Sequence, residues 1–298
     1  MIDQQTSFLV SAFPDLSTFI TTNTLLSFQG VQAFQDLIYS YYNTYGRMFA
    51  WRTTHDPYYI MVSEVMLQQT QTYRVEKKYE QFIKELSTFT ALAGASNAQV
   101  LTLWQGLGYN RRALNLQKAA QKIVTDYAGK LPQEPSLLKE LPGIGAATAS
   151  SICAFAFNVP TVFIETNIRT VFIQLFFPHE TAVHDRVLFP LIEQTLDSTQ
   201  PRQWYYALMD YGVMLKKLYK NPSRKSVHHT VQSKFKGSIR QIRGAVIRIL
   251  TQSEQLTELE LITLLTAQLS CSAEKVVTVL ETLYREQAIK KQELYYKL

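Results

Sequence analysis

The chain has 298 residues, of which 46% are hydrophobic and 18% charged, so it is long enough for two or three packed domains. Its two cysteines, Cys153 and Cys271, are too few for a disulfide framework. No apolar run reaches the length of a membrane span, and the first residues lack the basic region of a secretory signal. We therefore expect a reducing, cytoplasmic location without membrane contact.

The positive charge of the chain is concentrated near one place. The net charge is +6, and ten Lys and Arg residues lie between Lys216 and Arg248. No acidic residue occurs between Asp210 and Glu254. Because an ordinary surface intersperses charges of both signs, this stretch predicts contact with phosphates. A solvated or disordered basic linker is the alternative.

Helical periodicity dominates the chain, and period-two alternation is weak before the C-terminus. The predicted helices cover about 31–46, 58–73, 75–87, 97–106, 111–127, 135–141, 146–157, 238–251, 257–268 and 273–286. Short strands are predicted at Ile289 and Leu294–Leu298, which together with the last three helices suggests a winged helix. We expect an all-α protein with an N-terminal extension at residues 1–30, a helical core at 31–222, a basic linker at 223–237 and a winged-helix-like domain at 238–298.

Glu64 is a candidate catalytic residue because it lies inside a strongly apolar predicted helix. Its helical neighbours are Ile60, Met61, Leu67 and Gln68. A carboxylate that loses hydration favours its protonated form, which is what a general acid requires. A glutamate satisfied by a structural partner is the alternative.

Two further segments carry candidate functional residues. Gly143 and Gly145, one residue apart, allow a tight hairpin, and the free N–H groups of the helix that follows can hold a phosphate. Glu165 follows a hydrophobic stretch. It either caps a helix or faces a cationic sugar in a pocket.

Four motifs together carry a family resemblance, in the order and approximate spacing of the family: SEVMLQQTQ from Ser63, GLGYNRRALNL from Gly106, LPGIGAATAS from Leu141 and ETNIRTV from Glu165. Over about residues 35–215 the chain resembles the MutY-like branch of the helix-hairpin-helix DNA glycosylases. The resemblance implies a two-lobed helical core with DNA crossing between the lobes. The target base would be flipped out of the duplex, because its glycosidic bond cannot be reached inside the stack.

The resemblance implies a role for each matching residue. Glu64 would protonate the departing base, Glu165 would stay ionised beside the oxocarbenium-like sugar, and Asn167 would hold the sugar or the attacking water. Gln68, Gln69 and Tyr109 match residues that would wedge into the duplex near the flipped base, and the alternative for Tyr109 is a loop aromatic packed on the core. Arg111 and Arg112 are expected to bind phosphates because both begin a predicted helix. The hairpin phosphate contacts would come from Gly143, Gly145, Ala146 and Thr148. A monovalent cation, Na⁺ or K⁺, would bind the backbone carbonyls of Lys139, Leu141 and Ile144.

The chain departs from the family pattern at several places. Glu165 stands where the family has Asp, and Ala147 stands where bifunctional relatives carry a Schiff-base lysine. The four cysteines that normally follow the stretch matching Ala207–Gly212 are missing, so no iron–sulfur cluster is expected. Residues 235–298 are too short and too helical for the Nudix-like domain that reads 8-oxoguanine in the family.

The resemblance implies a monofunctional base-excision glycosylase, without efficient strand cleavage, that removes a mispaired adenine. The enzymatic alternative is a pyrimidine-directed mismatch glycosylase for uracil, thymine or 5-hydroxyuracil. The non-enzymatic alternative is a DNA-binding protein that uses the winged helix. The expected partner is double-stranded DNA with a mismatched or damaged base, bound at the nucleoid by a monomer that requires no cofactor.

Overall fold

The computed structural model describes residues 25–298, and within them the chain is mainly helical, as the sequence predicted. The predicted N-terminal extension lies almost entirely outside the described residues. The helices are α1 Phe28–Tyr45, α2 Ala50–Thr53, α3 Pro57–Leu67, α4 Thr72–Glu85, α5 Phe89–Gly94, α6 Asn97–Trp104, α7 Arg111–Asp126, α8 Pro135–Leu138, α9 Ala146–Phe157, α10 Thr166–Phe176, α11 Asp185–Thr195, α12 Pro201–Leu218, α13 Ile239–Leu250, α14 Glu258–Leu269 and α15 Ala273–Arg285. No helix among residues 25–298 is both long and apolar enough to cross a bilayer.

The described chain divides into two compact units, and each is assembled from separate segments. The first unit contains residues 25–60, 133–136 and 145–230. The second unit is built from the segments 61–132, 137–144 and 231–298.

The first unit is built around an aromatic core. Phe34, buried on α1, meets the rings of Phe172, Phe176 and Trp204 edge-on, with centroids 5.4, 5.4 and 5.7 Å away. Edge-to-face pairs of this kind add about 0.5–1.5 kcal/mol beyond the area that they bury. The apolar stripe of α1 that the sequence predicted therefore faces the core.

A buried carboxylate fastens the segment after α1 to α12. Asp210 is 2% exposed and accepts hydrogen bonds from the backbone N–H and Nε of Arg47, both at 2.7 Å. It also accepts from both terminal nitrogens of Arg52, at 2.8 and 2.9 Å. Because a buried charge is costly without partners, this network fixes how the chain enters α2.

The C-terminal part of the second unit holds the three helices α13–α15 and a small antiparallel sheet. The strands are β1 Leu256–Thr257, β2 Lys290–Gln292 and β3 Tyr295–Lys297, in the order β1-β3-β2. Tyr296 of β3 pairs with Leu256 and Lys291. Three helices followed by a terminal hairpin is the arrangement that the sequence predicted, and β1 is an addition to it.

The helix predicted over 58–73 is wrong at its C-terminal end. Helix α3 ends at Leu67, Gln69 adopts a φ of +53°, and α4 begins at Thr72. The apolar and polar residues continue with helical spacing across this break, so periodicity alone did not reveal it. Helices α2, α5, α11 and α12 were not predicted.

Candidate functional site

Glu64 lies in α3 of the second unit, as the sequence predicted. The helix begins where Asp56 Oδ1 accepts a hydrogen bond from the backbone N–H of Tyr58 at 2.8 Å. Met61, Val65 and Met66 on this helix are at most 2% exposed, and Glu64 between them is half-buried. Glu64 is thus a partly exposed residue on an otherwise buried part of the helix, which suits a residue that must meet a substrate.

Arg112 closes the C-terminal end of α3. Its Nη1 donates to the carbonyl oxygens of Val65, Met66 and Gln68 at 2.9, 2.9 and 2.6 Å. Its Nη2 donates to Thr70 Oγ1 at 2.9 Å and to the carbonyls at positions 107 and 108. The predicted phosphate contact of Arg112 is therefore wrong, because the guanidinium donates to carbonyl groups at the end of α3 and in the turn after it, and to two more at positions 107 and 108.

Phosphate contact stays a prediction for Arg111, the exposed neighbour of Arg112. Arg111 is the first residue of α7, and its side chain lies at the surface. The sequence treated both arginines alike because both stand at the helix start. Only the fold distinguishes the one that turns inward from the one that does not.

Two of the predicted DNA-contacting residues meet in the structure. Gln68 Nε2 donates to the carbonyl oxygen of Gly143 in the hairpin at 3.3 Å. Gln69, which follows it, is exposed and accepts a hydrogen bond from Gln232 Nε2 at 3.1 Å. The turn after α3 is therefore joined to the hairpin and to the C-terminal segment.

Tyr109 lies on the other predicted wedge loop, with a φ of +49° and 38% of its side chain exposed. Arg240 of α13 donates to its hydroxyl at 2.8 Å, and the guanidinium carbon of Arg112 lies 5.5 Å from its ring centroid. Arg240 therefore holds the hydroxyl group of Tyr109, and Arg112 lies over the face of its ring. Neither contact was predicted: Gln232 lies in the segment predicted as a linker, and Arg240 was predicted to bind phosphate.

A cavity of about 820 Å³ opens beside Gln69 and Tyr109 in the second unit. Among the described residues, its charged lining consists of Arg74, Arg111, Arg240, Arg243 and Glu286. Glu286 forms an ion pair with Arg243, so the balance of charge around the cavity is positive. Such a lining favours an anionic ligand.

The hairpin has the geometry that its glycines predict. Gly143 has a φ of +81°, and a Cβ there would lie 2.8 Å from the Cβ of Asn115, so no larger residue fits. Gly145 is the N-cap of α9 and offers no side chain to the first-turn N–H groups. Gly143, Gly145 and Ala146 are exposed, and Thr148 is half-buried. The N-terminus of α9 is therefore open to an anion.

The predicted monovalent cation site fits the hairpin only in part. The carbonyl of Leu141 accepts the backbone N–H of Ile144 at 3.1 Å, which leaves the second lone pair of that oxygen for a cation. No backbone hydrogen bond to the carbonyl oxygen of Ile144 or of Lys139 is seen among the described residues. The cation site stays a prediction.

Glu165 caps α10, which was one of its two expected roles. Its Oε1 accepts the backbone N–H groups of Asn167 and Ile168 at 2.6 and 2.7 Å. Its Oε2 accepts Asn167 Nδ2 at 3.1 Å. The carboxylate is half-buried and accepts three N–H groups, so its position is fixed by the helix that it begins.

Lys216, in the last turn of α12, extends this group. Its Nζ donates to Asn167 Oδ1 at 2.7 Å. Burial lowers the pKa of Lys216, and the charge of Glu165 opposes that shift. The sequence counted Lys216 among the phosphate-contacting cations, which is wrong because its ammonium group binds Asn167. Gly212, four residues earlier on the same helix face, was the available signal, since it marks a close approach.

Other members of the predicted phosphate-contacting stretch also bind protein groups. Lys225 Nζ donates to the carbonyl of Pro178, Arg243 pairs with Glu286, and Arg248 donates to Gln268 at 3.0 Å. The exposed cations of the stretch include Lys217, Lys220, Arg224, Lys234 and Lys236. Phosphate contact stays a prediction for these.

Two expectations about the site remain predictions. Glu64 belongs to the second unit and Glu165 to the first, so their convergence on one nucleoside is not described. Residues 25–298 contain no group of three or more His, Cys, Asp or Glu side chains placed to hold a metal ion. The lack of an iron–sulfur cluster is likewise still a prediction from the two cysteines.

Comparisons with known proteins agree with this geometry. Residues 62–191 match the family described as HhH-GPD superfamily base excision DNA repair protein. The adenine DNA glycosylase of Buchnera aphidicola is 32% identical over 187 residues, which is 61% of this chain and 52% of that protein. The thymine/uracil-DNA glycosylase of Methanothermobacter thermautotrophicus is 26% identical over 187 residues, or 62% of this chain and 85% of that protein.

A solved structure of a thermostable thymine-DNA glycosylase superposes with a TM-score of 0.54 at 26% identity, covering 61% of this chain and 85% of that one. Over residues 62–191 the chain is therefore similar to the HhH-GPD superfamily of base excision DNA repair proteins. Its similarity to adenine DNA glycosylases supports the resemblance to the MutY-like branch that its four motifs predicted. The chain spans about half the length of the Buchnera aphidicola adenine DNA glycosylase and 36% of the human one.

Proposed function

We propose that this chain is a monofunctional DNA glycosylase that hydrolyses the N-glycosidic bond of a mispaired adenine flipped out of duplex DNA. The observation that carries the proposal is the setting of Glu64. The residue is half-buried on an apolar helix. The turn that ends this helix carries Gln68, which contacts the glycine hairpin, and Gln69, which lines the positively charged cavity. The proposed acid, Glu64, thus lies just before the turn whose glutamines are proposed to contact DNA.

In the proposed reaction, Glu64 donates its proton to a ring nitrogen of the base, because adenine is a poor leaving group until it is protonated. The C–N bond breaks with its electron pair going to the protonated base. A water oxygen then bonds to the sugar carbon, and the proton that this water loses restores the acid form of Glu64. Acid catalysis of this kind contributes roughly 10²–10⁴-fold.

Glu165 stabilises the positive charge that develops on the sugar. Its carboxyl oxygens accept three N–H groups from Asn167 and Ile168, which holds both oxygens in place. Different surroundings would let Glu64 act as the acid and Glu165 as the stabilising carboxylate, as in two-carboxylate glycoside hydrolysis.

The proposed enzyme releases the base without efficient strand cleavage. Ala147, the position of the Schiff-base lysine in bifunctional relatives, is exposed at the start of α9 and offers no amine. The proposed partner is nucleoid duplex DNA with a mismatched base, bound by a monomer. No cofactor is required, and a sodium or potassium ion at the hairpin carbonyls would support a phosphate contact.

A pyrimidine-directed mismatch glycosylase is the second candidate. The observation that favours it is coverage: the thymine/uracil-DNA glycosylase matches over 85% of its own length, whereas the adenine DNA glycosylases match over 36–52% of theirs. The adenine relatives are in turn more similar in sequence, at 32–39% identity against 26%.

A panel of duplexes tests the proposal, each with one test base: adenine opposite guanine or 8-oxoguanine, and uracil, thymine or 5-hydroxyuracil opposite guanine. Alkali after incubation converts abasic sites to breaks. We expect breaks at adenine only, and only after alkali. Breaks at pyrimidines alone would establish the second candidate. Binding without breaks in any duplex would leave a non-catalytic DNA-binding protein.

A further inference from the structure

Three side chains in the first unit form a continuous hydrogen-bonded row. Lys216 Nζ donates to Asn167 Oδ1 at 2.7 Å, and Asn167 Nδ2 donates to Glu165 Oε2 at 3.1 Å. The row runs from the last turn of α12 to the N-cap of α10. It therefore connects a cation on one helix to the carboxylate that begins another.

The chemistry of the end groups fixes the orientation of the amide between them. A lysine ammonium group has three donors and no acceptor, so it must face the oxygen of Asn167. An ionised carboxylate only accepts, so Glu165 must face the amide nitrogen. Without Lys216 the amide could turn over and bring its oxygen against the carboxylate, which would repel it.

Helix α12 holds Asn167 at a second point. A Cβ added to Gly212 would collide with the backbone carbonyl of Asn167, so the helix and the residue are in close contact there. Gly212 and Lys216 are four residues apart and share one face of α12. One helix face thus holds the backbone of Asn167 and also its side chain.

The position of Lys216 differs from that of the cations around it. Lys217 and Lys220 are exposed, whereas Lys216 is half-buried. Burial lowers the pKa of Lys216 and the charge of Glu165 raises it, which identifies the carboxylate as its compensating charge. A lysine that served only as a solvated surface charge would keep its ammonium group in water.

We propose that Lys216 is a positioning residue for base release, which fixes the Asn167 amide and through it the direction of the Glu165 carboxylate. The inference rests on the proposed function, since it assigns Glu165 and Asn167 to the reaction. Lys216 itself does not touch the substrate.

The test compares Lys216→Met, which keeps the length of the stem and removes the donors, with Lys216→Arg, which keeps a cationic donor. Lys84→Met, at an exposed position in the last turn of α4, is the control for the loss of a lysine that has no role in the site. Single-turnover base release, affinity for a duplex with an uncleavable nucleotide, and thermal unfolding are measured for each. We expect K216M to slow release by roughly tenfold or more with affinity changed less than about threefold, and K216R to recover most of the rate.

A second comparison separates positioning from general structural damage. In an Asn167→Ala background, K216M should slow release no further, because Lys216 acts through Asn167. Equal rates for wild type and K216M, a multiplicative effect in the double variant, or no recovery in K216R at unchanged melting temperature would each overturn the proposal. If the wild type releases no base from any duplex in the panel, the proposed function fails first, and the assignment of Lys216 to base release fails with it.

Discussion

Arg112 donates a hydrogen bond of 2.6 Å to the carbonyl oxygen of Gln68, just beyond the helix that carries Glu64. The same guanidinium binds five further acceptors, two of them in the last turn of α3. We predict that Arg112→Ala lowers the free energy of unfolding by roughly 2–4 kcal/mol, because these buried carbonyls lose charged donors. Chemical denaturation with a helical signal measures the change.

Arg111→Ala is the matched control for that substitution. Its side chain is exposed at the first position of the same helix, so its removal should change stability by less than about 0.5 kcal/mol. We expect Arg111→Ala to weaken DNA binding instead. Equal stability of the two variants would contradict the structural role assigned to Arg112.

Gly212→Ala tests the close approach between α12 and Asn167. The methyl group would collide with a backbone carbonyl that cannot rotate away, so we expect a loss of about 1–3 kcal/mol of stability together with slower base release. Gly244→Ala on α13 is the control, since a Cβ there meets nothing within 4 Å. It should raise stability by about 0.5–1 kcal/mol through helix propensity. Destabilisation by both substitutions would remove the packing argument.

Glu64→Gln separates chemistry from binding. The amide is nearly isosteric and cannot donate a carboxylic proton, so we expect base release to fall by at least about 10²-fold while affinity for a mismatched duplex persists. Glu76→Gln, at an exposed position of α4, should leave both quantities unchanged. Unchanged turnover in Glu64→Gln would exclude this residue as the general acid.

Ala147→Lys tests the absence of strand cleavage. The position is exposed on the first turn of α9, so a lysine can be introduced without a clash. We expect borohydride to trap no covalent complex with the wild type, and to trap a Schiff base with the variant on an abasic duplex. Efficient trapping of the wild type would show that another amine of the chain attacks the sugar.

Much of the fold and part of the site could be predicted from the sequence. Helix α9 was predicted with its observed bounds, because a glycine hairpin precedes it and Asn158, in a left-handed conformation, ends it. The end of α3 could not be found, since Gln69 takes a positive φ without a glycine to signal it. Arg112 and Lys216 were misassigned for one reason: sequence shows that a residue is cationic, but only packing decides whether it faces solvent or a carbonyl.

The discontinuity of the two units sets the order in which they can be completed. The first unit needs a segment that ends near residue 230, and the second unit needs residues 231–298 in addition to its central helices. During synthesis, the early helices must therefore wait for partners made much later, which delays folding and leaves apolar surface exposed for longer. Ribosome-bound chains that stop at residue 132 should accordingly engage chaperones more than those that stop at residue 298.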